Sequence, residues 1–394
     1  MTNEISRYIP YGRQNISDDD IEAVVAVLRS DNITQGPVVP AFEGRVKGYC
    51  GASHAVAVNS ATSALHIACL ALDIGPGDIV WTSPITFVAS ANCALYCGAT
   101  VDFVDIDPLT YNLSVERLSE KLAVAASEGR LPKLVIPVHL AGQSCDMKEI
   151  AKLAKYYDFK VIEDASHAIG GKYLGNKVGS CEFSDITVFS FHPVKIITTA
   201  EGGLATTNDC ELASKLQLLR SHGITKEPSS MIGESEGPWY YEQLDLGFNY
   251  RMTDLQAALG LSQMDRLDQF VSRRHHIIAR YNDSLANVPV VTPWQNPDSY
   301  SASHLYIVRL DKKNTQSSHR EVFEYMRDKN IGVALHYMPV YRHPFYKSLG
   351  FAQHGCPEAE NYYSEAISLP MYPGLSQEDQ YKVVEVLSSA LGKK

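Results

Sequence analysis

Two periodicities alternate along the chain. At 17–30 the polar run Ser17-Asp18-Asp19-Asp20 leads into Ile21, Val24, Val25, Val27 and Leu28, a helical spacing that predicts a capped amphipathic helix. Between about residues 54 and 210, short apolar runs at 54–58, 78–82, 99–104, 134–138, 160–164 and 186–191 alternate with helical stretches. That alternation predicts an α/β fold with a largely parallel sheet covered by helices on both faces, and ligands of such sheets gather beyond the carboxyl ends of the strands. A Gly-, Ser-, Glu- and Pro-rich stretch at 226–243 reads as a surface excursion, and 252–270 as a long helix that Arg273-Arg274-His275-His276 continues. A strand at 304–310, a helix at 319–329 and a strand at 333–337 then predict a compact α+β unit. The expected division is a large domain at 1–265 and a small C-terminal domain at 266–394.

Composition narrows the class. A chain of 394 residues, 45% hydrophobic and 20% charged, can bury a sizeable core. Its formal net charge of -10 argues against nucleic acid as a general partner, while leaving room for a small anion in a locally basic pocket. The first residues lack the basic and apolar regions of a signal peptide, and no apolar run approaches a membrane span, so a cytoplasmic protein with no membrane partner is expected. Cys50, Cys69, Cys93, Cys97, Cys145, Cys181, Cys210 and Cys356 are scattered as reduced thiols would be. Cys93 and Cys97 fall one helical turn apart, but nothing around them completes a zinc site, so no metal is expected.

The chemistry-bearing residues fall at the predicted strand ends. Asn59-Ser60-Ala61-Thr62-Ser63-Ala64-Leu65 lies where a strand turns into a helix, and its small side chains let N–H groups approach a phosphate at the positive helix end. Taken alone, an ordinary helix cap is the simpler reading. Phe87 follows another strand end, placed either to stack on a ring or to join the core. Asp164 closes a buried strand, where a carboxylate requires a cation or several donors. A protonated pyridine nitrogen is one such cation, and backbone donors are the alternative. His167 is placed to donate to a ring oxygen or to serve the fold. Lys195 follows an apolar strand ending at Ser190 and precedes Thr198-Thr199-Ala200-Glu201-Gly202-Gly203. A lysine there fits a Schiff base beside a cofactor phosphate, whereas most lysines are solvated surface groups. The ordered set of anion loop, aromatic, acid, serine and lysine points to pyridoxal phosphate, with Lys195 as the group that would also carry protons.

These motifs resemble those of the DegT/DnrJ/EryC1/StrS sugar-nucleotide aminotransferases, within the fold-type I pyridoxal phosphate enzymes. The resemblance runs from Ile33-Thr34-Gln35-Gly36-Pro37 through Glu163-Asp164-Ala165-Ser166-His167-Ala168 and Phe189-Ser190-Phe191-His192-Pro193-Val194-Lys195 to Gly247-Phe248-Asn249-Tyr250-Arg251-Met252-Thr253-Asp254. It implies Lys195 as the Schiff-base lysine, Asp164 as the pyridinium partner, His167 near the ring oxygen and Phe87 stacked on the ring. It also implies Ser190 with the Ala61 and Thr62 backbone at the phosphate, and Asn249 reaching the phosphate of a neighbouring subunit, hence a homodimer with shared active sites. Ala61 and Ala200 stand where the family commonly has glycine, and neither change removes a backbone donor.

Within the family, 33–37, 59–65, 82–92 and 197–203 look most like the pseudaminic acid branch. That likeness implies amino transfer to C4 of a UDP-linked 4-keto-6-deoxy-N-acetyl-hexosamine, with L-glutamate as donor and 2-oxoglutarate as by-product. His336, Tyr337 and Tyr341, together with Arg220 and His222, are the candidates for the nucleotide sugar; a half-exposed strand is the alternative reading of 335–341. A D-configured UDP-4-keto sugar or a dTDP-3-keto sugar is the rival substrate, and a non-catalytic scaffold the rival class. Family members that dehydrate carry histidine in place of Lys195. A nicotinamide enzyme is disfavoured because no Gly-x-Gly-x-x-Gly follows the first strand.

Overall fold

The computed structural model describes residues 7–351 and 355–392, so the first six residues of the N-terminal stretch lie outside it. Helix α1 (Asp18–Leu28) opens on a capping box in which the Ser17 hydroxyl accepts the Asp20 N–H and the Asp20 carboxylate accepts the Ser17 N–H. Helix α2 (Val38–Cys50) was not foreseen from the sequence, because its hydrophobic stripe of Val39, Phe42 and Val46 is broken by glycines and begins beside Pro37 and Pro40. The Asp254 carboxylate replaces a local cap, accepting the N–H groups of Val38 at 2.8 Å and Val39 at 3.1 Å from far along the chain.

The core sheet begins with β1 (His54–Val58), followed by helix α3 (Ala61–Ala71), β2 (Ile79–Thr82), helix α4 (Ala89–Tyr96), β3 (Thr100–Phe103), β4 (Leu134–Ile136) and β5 (Lys160–Asp164). A short ladder of β6 (Lys172–Tyr173) and β7 (Asn176–Lys177) precedes β8 (Ile186–Ser190) and β9 (Gly203–Thr207). Seven strands form one sheet in the order β1-β9-β8-β5-β4-β2-β3. β3, β2, β4, β5 and β8 run parallel, as the alternating pattern predicts, and β9 runs antiparallel between β8 and β1. β9 was not foreseen: Gly203-Leu204-Ala205-Thr206-Thr207 is small and polar, yet every one of its residues is buried.

The predicted helix at 252–270 is two helices, Asp254–Met264 and Leu267–Leu285, parted at Asp265-Arg266. The C-terminal sheet is antiparallel, with Tyr306–Leu310 central between Val290–Val291 and Ala366–Leu369. The predicted strand at 333–337 does not form. Its Ala334 makes a single bridge to Ser368, on the side of Ala366–Leu369 away from Tyr306–Leu310, and the pairing goes no further while Ala334 to Tyr337 stay half-buried. The stretch 226–243 is an excursion closed by Ile224–Thr225 pairing with Glu242–Gln243 and carries exposed Ile232 and Trp239. No helix among the described residues is long and apolar enough to cross a membrane.

One glycine ties this sheet to the turn before α3. Gly203 pairs with Val58, and a Cβ built on it would come within 2.5 Å of the Ser60 carbonyl and the Ala61 nitrogen. Gly203→Ala is expected to cost about 1–3 kcal/mol by forcing that turn outward. Thermal melting would show the loss as a midpoint lowered by a few degrees.

Candidate active site

A cavity of about 440 Å³ opens where the strand ends predict. α3 supplies its floor. The Ser60 hydroxyl caps the helix by accepting the Ser63 N–H at 3.1 Å, and the N–H groups of Ala61 and Thr62 in the first turn have no helical acceptor. Ser190, at the end of β8, and Gly202, just before β9, line the cavity from neighbouring strands. Small side chains and orphaned N–H groups at a positive helix end make a site that a phosphate fits.

Asp164 ends β5 and is 5% exposed. Its Oδ2 accepts the Ser90 hydroxyl at 2.6 Å, while Oδ1 accepts the Ser166 N–H at 3.1 Å and the Ser166 hydroxyl at 2.6 Å. Lys195 follows the β8 end in a turn closed by its own N–H donating to the His192 carbonyl at 2.9 Å. Among the described residues its Nζ makes no hydrogen bond. The side chain is half-open to the cavity but enclosed elsewhere, and this burial draws the ammonium down to about 8, only partly offset by the Asp164 carboxylate.

Four histidines line the same space, His192 exposed and the imidazoles of His167, His304 and His336 more enclosed. His167 accepts the Ala141 N–H on Nδ1 at 3.3 Å, so its proton sits on Nε2, which meets the Tyr337 hydroxyl at 3.2 Å. His304 lies with its ring centre 4.5 Å from that of His167. His336 is oriented by the Ser368 hydroxyl at 2.8 Å. Burial, reinforced by the Lys195 ammonium, holds His167 and His304 well below the ordinary imidazole range and His336 at about 3. All three are neutral at working pH; His167 and His336 serve as hydrogen-bonding groups, while the buried Nδ1 of His304 has no partner among the described residues. Phe87 is 60% exposed over the cavity, 6.3 Å from the Tyr337 ring.

The fold thus brings together Ala61, Thr62, Phe87, Asp164, His167, Ser190, Lys195, His336 and Tyr337. Four other sequence candidates lie outside this cavity. Tyr341 is buried against Phe103 and donates to Glu360 at 2.8 Å. Arg220 donates through Nη1 to Glu43 at 2.5 Å and to the Ala57 carbonyl at 2.8 Å. His222 is exposed in a left-handed turn with φ 61°, and Asn249 is exposed, its carbonyl accepting the Asn59 amide at 3.4 Å. Sequence reasoning missed Tyr11, Glu201 and His304. Glu201 was within a quoted motif, but Tyr11 and His304 arrive from segments that only folding brings to the strand ends. Among the described residues no group of three or more His, Cys, Asp or Glu side chains is arranged to hold a metal ion.

The chain is similar to known proteins along nearly its whole length. Two curated relatives align along nearly their full length: the spore coat polysaccharide biosynthesis protein SpsC of Bacillus subtilis, 40% identical over 98% of both chains, and the UDP-4-amino-4,6-dideoxy-N-acetyl-beta-L-altrosamine transaminase of Campylobacter jejuni, 38% identical over 98% of both. Among solved structures, Helicobacter pylori PseC, an aminotransferase in the biosynthesis of pseudoaminic acid, superposes with a TM-score of 0.89 at 30% identity, covering 98% of this chain and 100% of that one. The PLP-form of the putative sugar aminotransferase Spr1654 of Streptococcus pneumoniae follows at 0.87 and 31%, covering 98% and 99%. The sequence profile of the DegT/DnrJ/EryC1/StrS aminotransferase family matches residues 14–388, and the chain belongs to that family of sugar aminotransferases.

Proposed function

We propose that the protein moves an amino group from L-glutamate to C4 of a UDP-linked 4-keto-6-deoxy-N-acetyl-hexosamine, giving UDP-4-amino-4,6-dideoxy-N-acetyl-β-L-altrosamine, with pyridoxal phosphate as cofactor. The observation that carries the chemistry is the pairing of Asp164 and Lys195 at neighbouring strand ends, above a helix N-terminus, in one cavity. The likeness to the Campylobacter transaminase and to PseC supports the sugar.

When bound, pyridoxal phosphate supplies a reactive carbonyl and an electron sink for the carbon that loses its proton. The chain's own groups do the rest. The Ala61 and Thr62 N–H groups and the Ser190 hydroxyl would hold the phosphate, and Phe87 would cover one ring face. Asp164 would keep a proton on the ring nitrogen, and the His167 Nε2–H would meet the ring oxygen. Lys195 Nζ would anchor the cofactor, then carry the proton from the donor carbon to the cofactor carbon, and in the second half-reaction from the cofactor carbon to C4 of the sugar. His336 and Tyr337, which line the same cavity, would meet the keto sugar.

The same reading makes the protein a cytoplasmic homodimer in which Asn249 of each copy serves the other's phosphate site, consistent with its exposure outside its own cavity. It divides the chain at 265/266. In support, Ile277, Tyr281, Tyr306, Val308 and Leu387 form a hydrophobic cluster separate from those packed on the large sheet, with Ile9 crossing over to join it.

The deciding experiment is the visible spectrum of the purified protein before and after L-glutamate, followed by a panel of UDP-4-keto and dTDP-3-keto sugars. A yellow band that glutamate bleaches and the UDP-4-keto-6-deoxy sugar restores is expected. No band after pyridoxal phosphate is supplied would defeat the cofactor, and recovery with a different sugar would defeat the substrate. The greater identity to SpsC, whose name places it in spore coat polysaccharide synthesis, makes that panel necessary.

The site also has an expected pH signature. Capture of a carbonyl by Lys195 needs the neutral amine, whose fraction rises with pH and levels off above about 8. The rate at which added pyridoxal phosphate develops the band should therefore climb about tenfold per pH unit below that midpoint and then flatten. His167, His304 and His336 are already neutral there, so they add no second limb between about pH 5 and 7.

A further inference from the structure

β5 alternates, so its last two residues face opposite layers of the fold. Asp164 turns into the cavity, whereas Glu163 turns away from it into the protein, where it is 6% exposed. There its Oε2 meets His139 Nε2 at 2.7 Å, and its Oε1 accepts the hydroxyls of Ser184 at 2.5 Å and Thr187 at 3.0 Å. Burial alone would raise the Glu163 carboxyl, but these donors hold it below its ordinary value. For His139, burial lowers the imidazole while Cys145 and Glu163 raise it, to about 10. The Cys145 N–H nevertheless donates to Nδ1 at 3.1 Å, which leaves room for one ring proton, on Nε2 and directed at Glu163.

A buried pair of this kind is a poor means of stabilising a fold, since well-packed apolar residues in place of both partners often do as well or better. Glu163 offers a directed bond instead. β4 ends at Ile136, and beyond it the ladder reaches the end of β5 through the Asp164 N–H donating to the Pro137 carbonyl at 2.9 Å and the His139 N–H donating to the Asp164 carbonyl at 3.0 Å. His139 is thus the backbone partner of Asp164 and the ring partner of Glu163. We infer that Glu163 is a positioning residue that, through His139, fixes the backbone of Asp164 and so the place from which the Asp164 carboxylate meets the cofactor's ring nitrogen. The inference rests on pyridoxal phosphate being the ligand proposed above.

Replacement of Glu163 separates position from packing. Glu163→Leu fills the space without accepting from His139, while Glu163→Gln keeps an acceptor for the Nε2–H. Each purified variant would be titrated with pyridoxal phosphate, reading the visible band, its circular dichroism as a report on ring orientation, and the melting midpoint. Glu163→Leu leaves the His139 Nε2–H and the Ser184 and Thr187 hydroxyls without their acceptor, so it is expected to melt several degrees below wild type and, while still folded, to bind the cofactor at least about tenfold more weakly and lose much of the visible dichroism, with Glu163→Gln within about threefold of wild type. Should Glu163→Leu not fold, His139→Asn, which leaves the backbone partner and withdraws the ring, is expected to show the same weakening. A folded Glu163→Leu with wild-type affinity and dichroism, an equal defect in Leu and Gln, or a wild-type His139→Asn would overturn the inference. A wild-type protein that develops no band at all would instead defeat the proposed cofactor, so the two failures are distinguishable.

Discussion

Lys195→Ala is expected to lower amino transfer by about 10,000-fold or more, because on the proposed function one substitution removes both the cofactor anchor and the proton carrier. Lys195 is the cationic group lining the cavity, and its Nζ is free of hydrogen bonds among the described residues. The enclosed imidazoles of His167, His304 and His336 beside it are too poorly basic to take over. The variant should fold normally, since it loses a desolvated ammonium rather than a packed contact. Its expected signature is a spectrum of reversibly bound pyridoxal phosphate, lost on dialysis, together with negligible turnover. A Lys195→Ala protein that retains even a tenth of the rate would remove this residue from the chemistry.

Asp164→Asn is the second large effect. The two readings of this carboxylate, a partner for a ring cation or a buried acid satisfied by its own surroundings, differ in what the amide should cost. Ser90 and Ser166 already give it three donors, so stability alone does not demand a ligand. If those donors exist to keep the carboxylate aimed at a ring cation, the isosteric amide leaves that cation unpaired, a loss of about 3–5 kcal/mol or roughly 100- to 5,000-fold in rate and cofactor affinity. Unchanged turnover with a lowered melting midpoint would assign Asp164 to the fold. Comparing the half-reaction with glutamate and cofactor binding by dialysis settles which quantity moved.

The sheet and the heart of the site were legible because they rest on short-range pattern. Buried parallel strands write themselves as apolar runs, and the residues at their carboxyl ends are read off with them, which is how Ala61, Asp164, Ser190 and Lys195 were found. β9 and α2 were not legible, since their burial depends on partners distant in sequence: Gly203 to Thr207 is covered by β1 and β8, and α2 begins on a carboxylate more than 200 residues away. The strand expected at 333–337 failed for the converse reason. Its residues suit a pleat, but only Ala334 meets Ala366–Leu369, its one strand partner, and the residues after it are half-buried. Tyr11 and His304 carry no local signal at all. Tyr341 and Arg220 illustrate the limit of reading chemistry from residue type, because a tyrosine and an arginine near a site motif are here held by Glu360 and Glu43.

The antiparallel strand β9 has a consequence for how the chain can be re-cut. Lys195 rides on the connection between β8 and β9, and both strands lie inside the sheet, each paired on both sides. Adding or deleting a residue between Ser190 and Gly203 would therefore slide a central strand or rotate the lysine, with no free edge to absorb the change. The excursion at 226–243 is pinned only at its base and exposes Ile232 and Trp239. Circular permutants and split halves of this enzyme belong in that excursion, where new termini leave the lysine-bearing hairpin continuous.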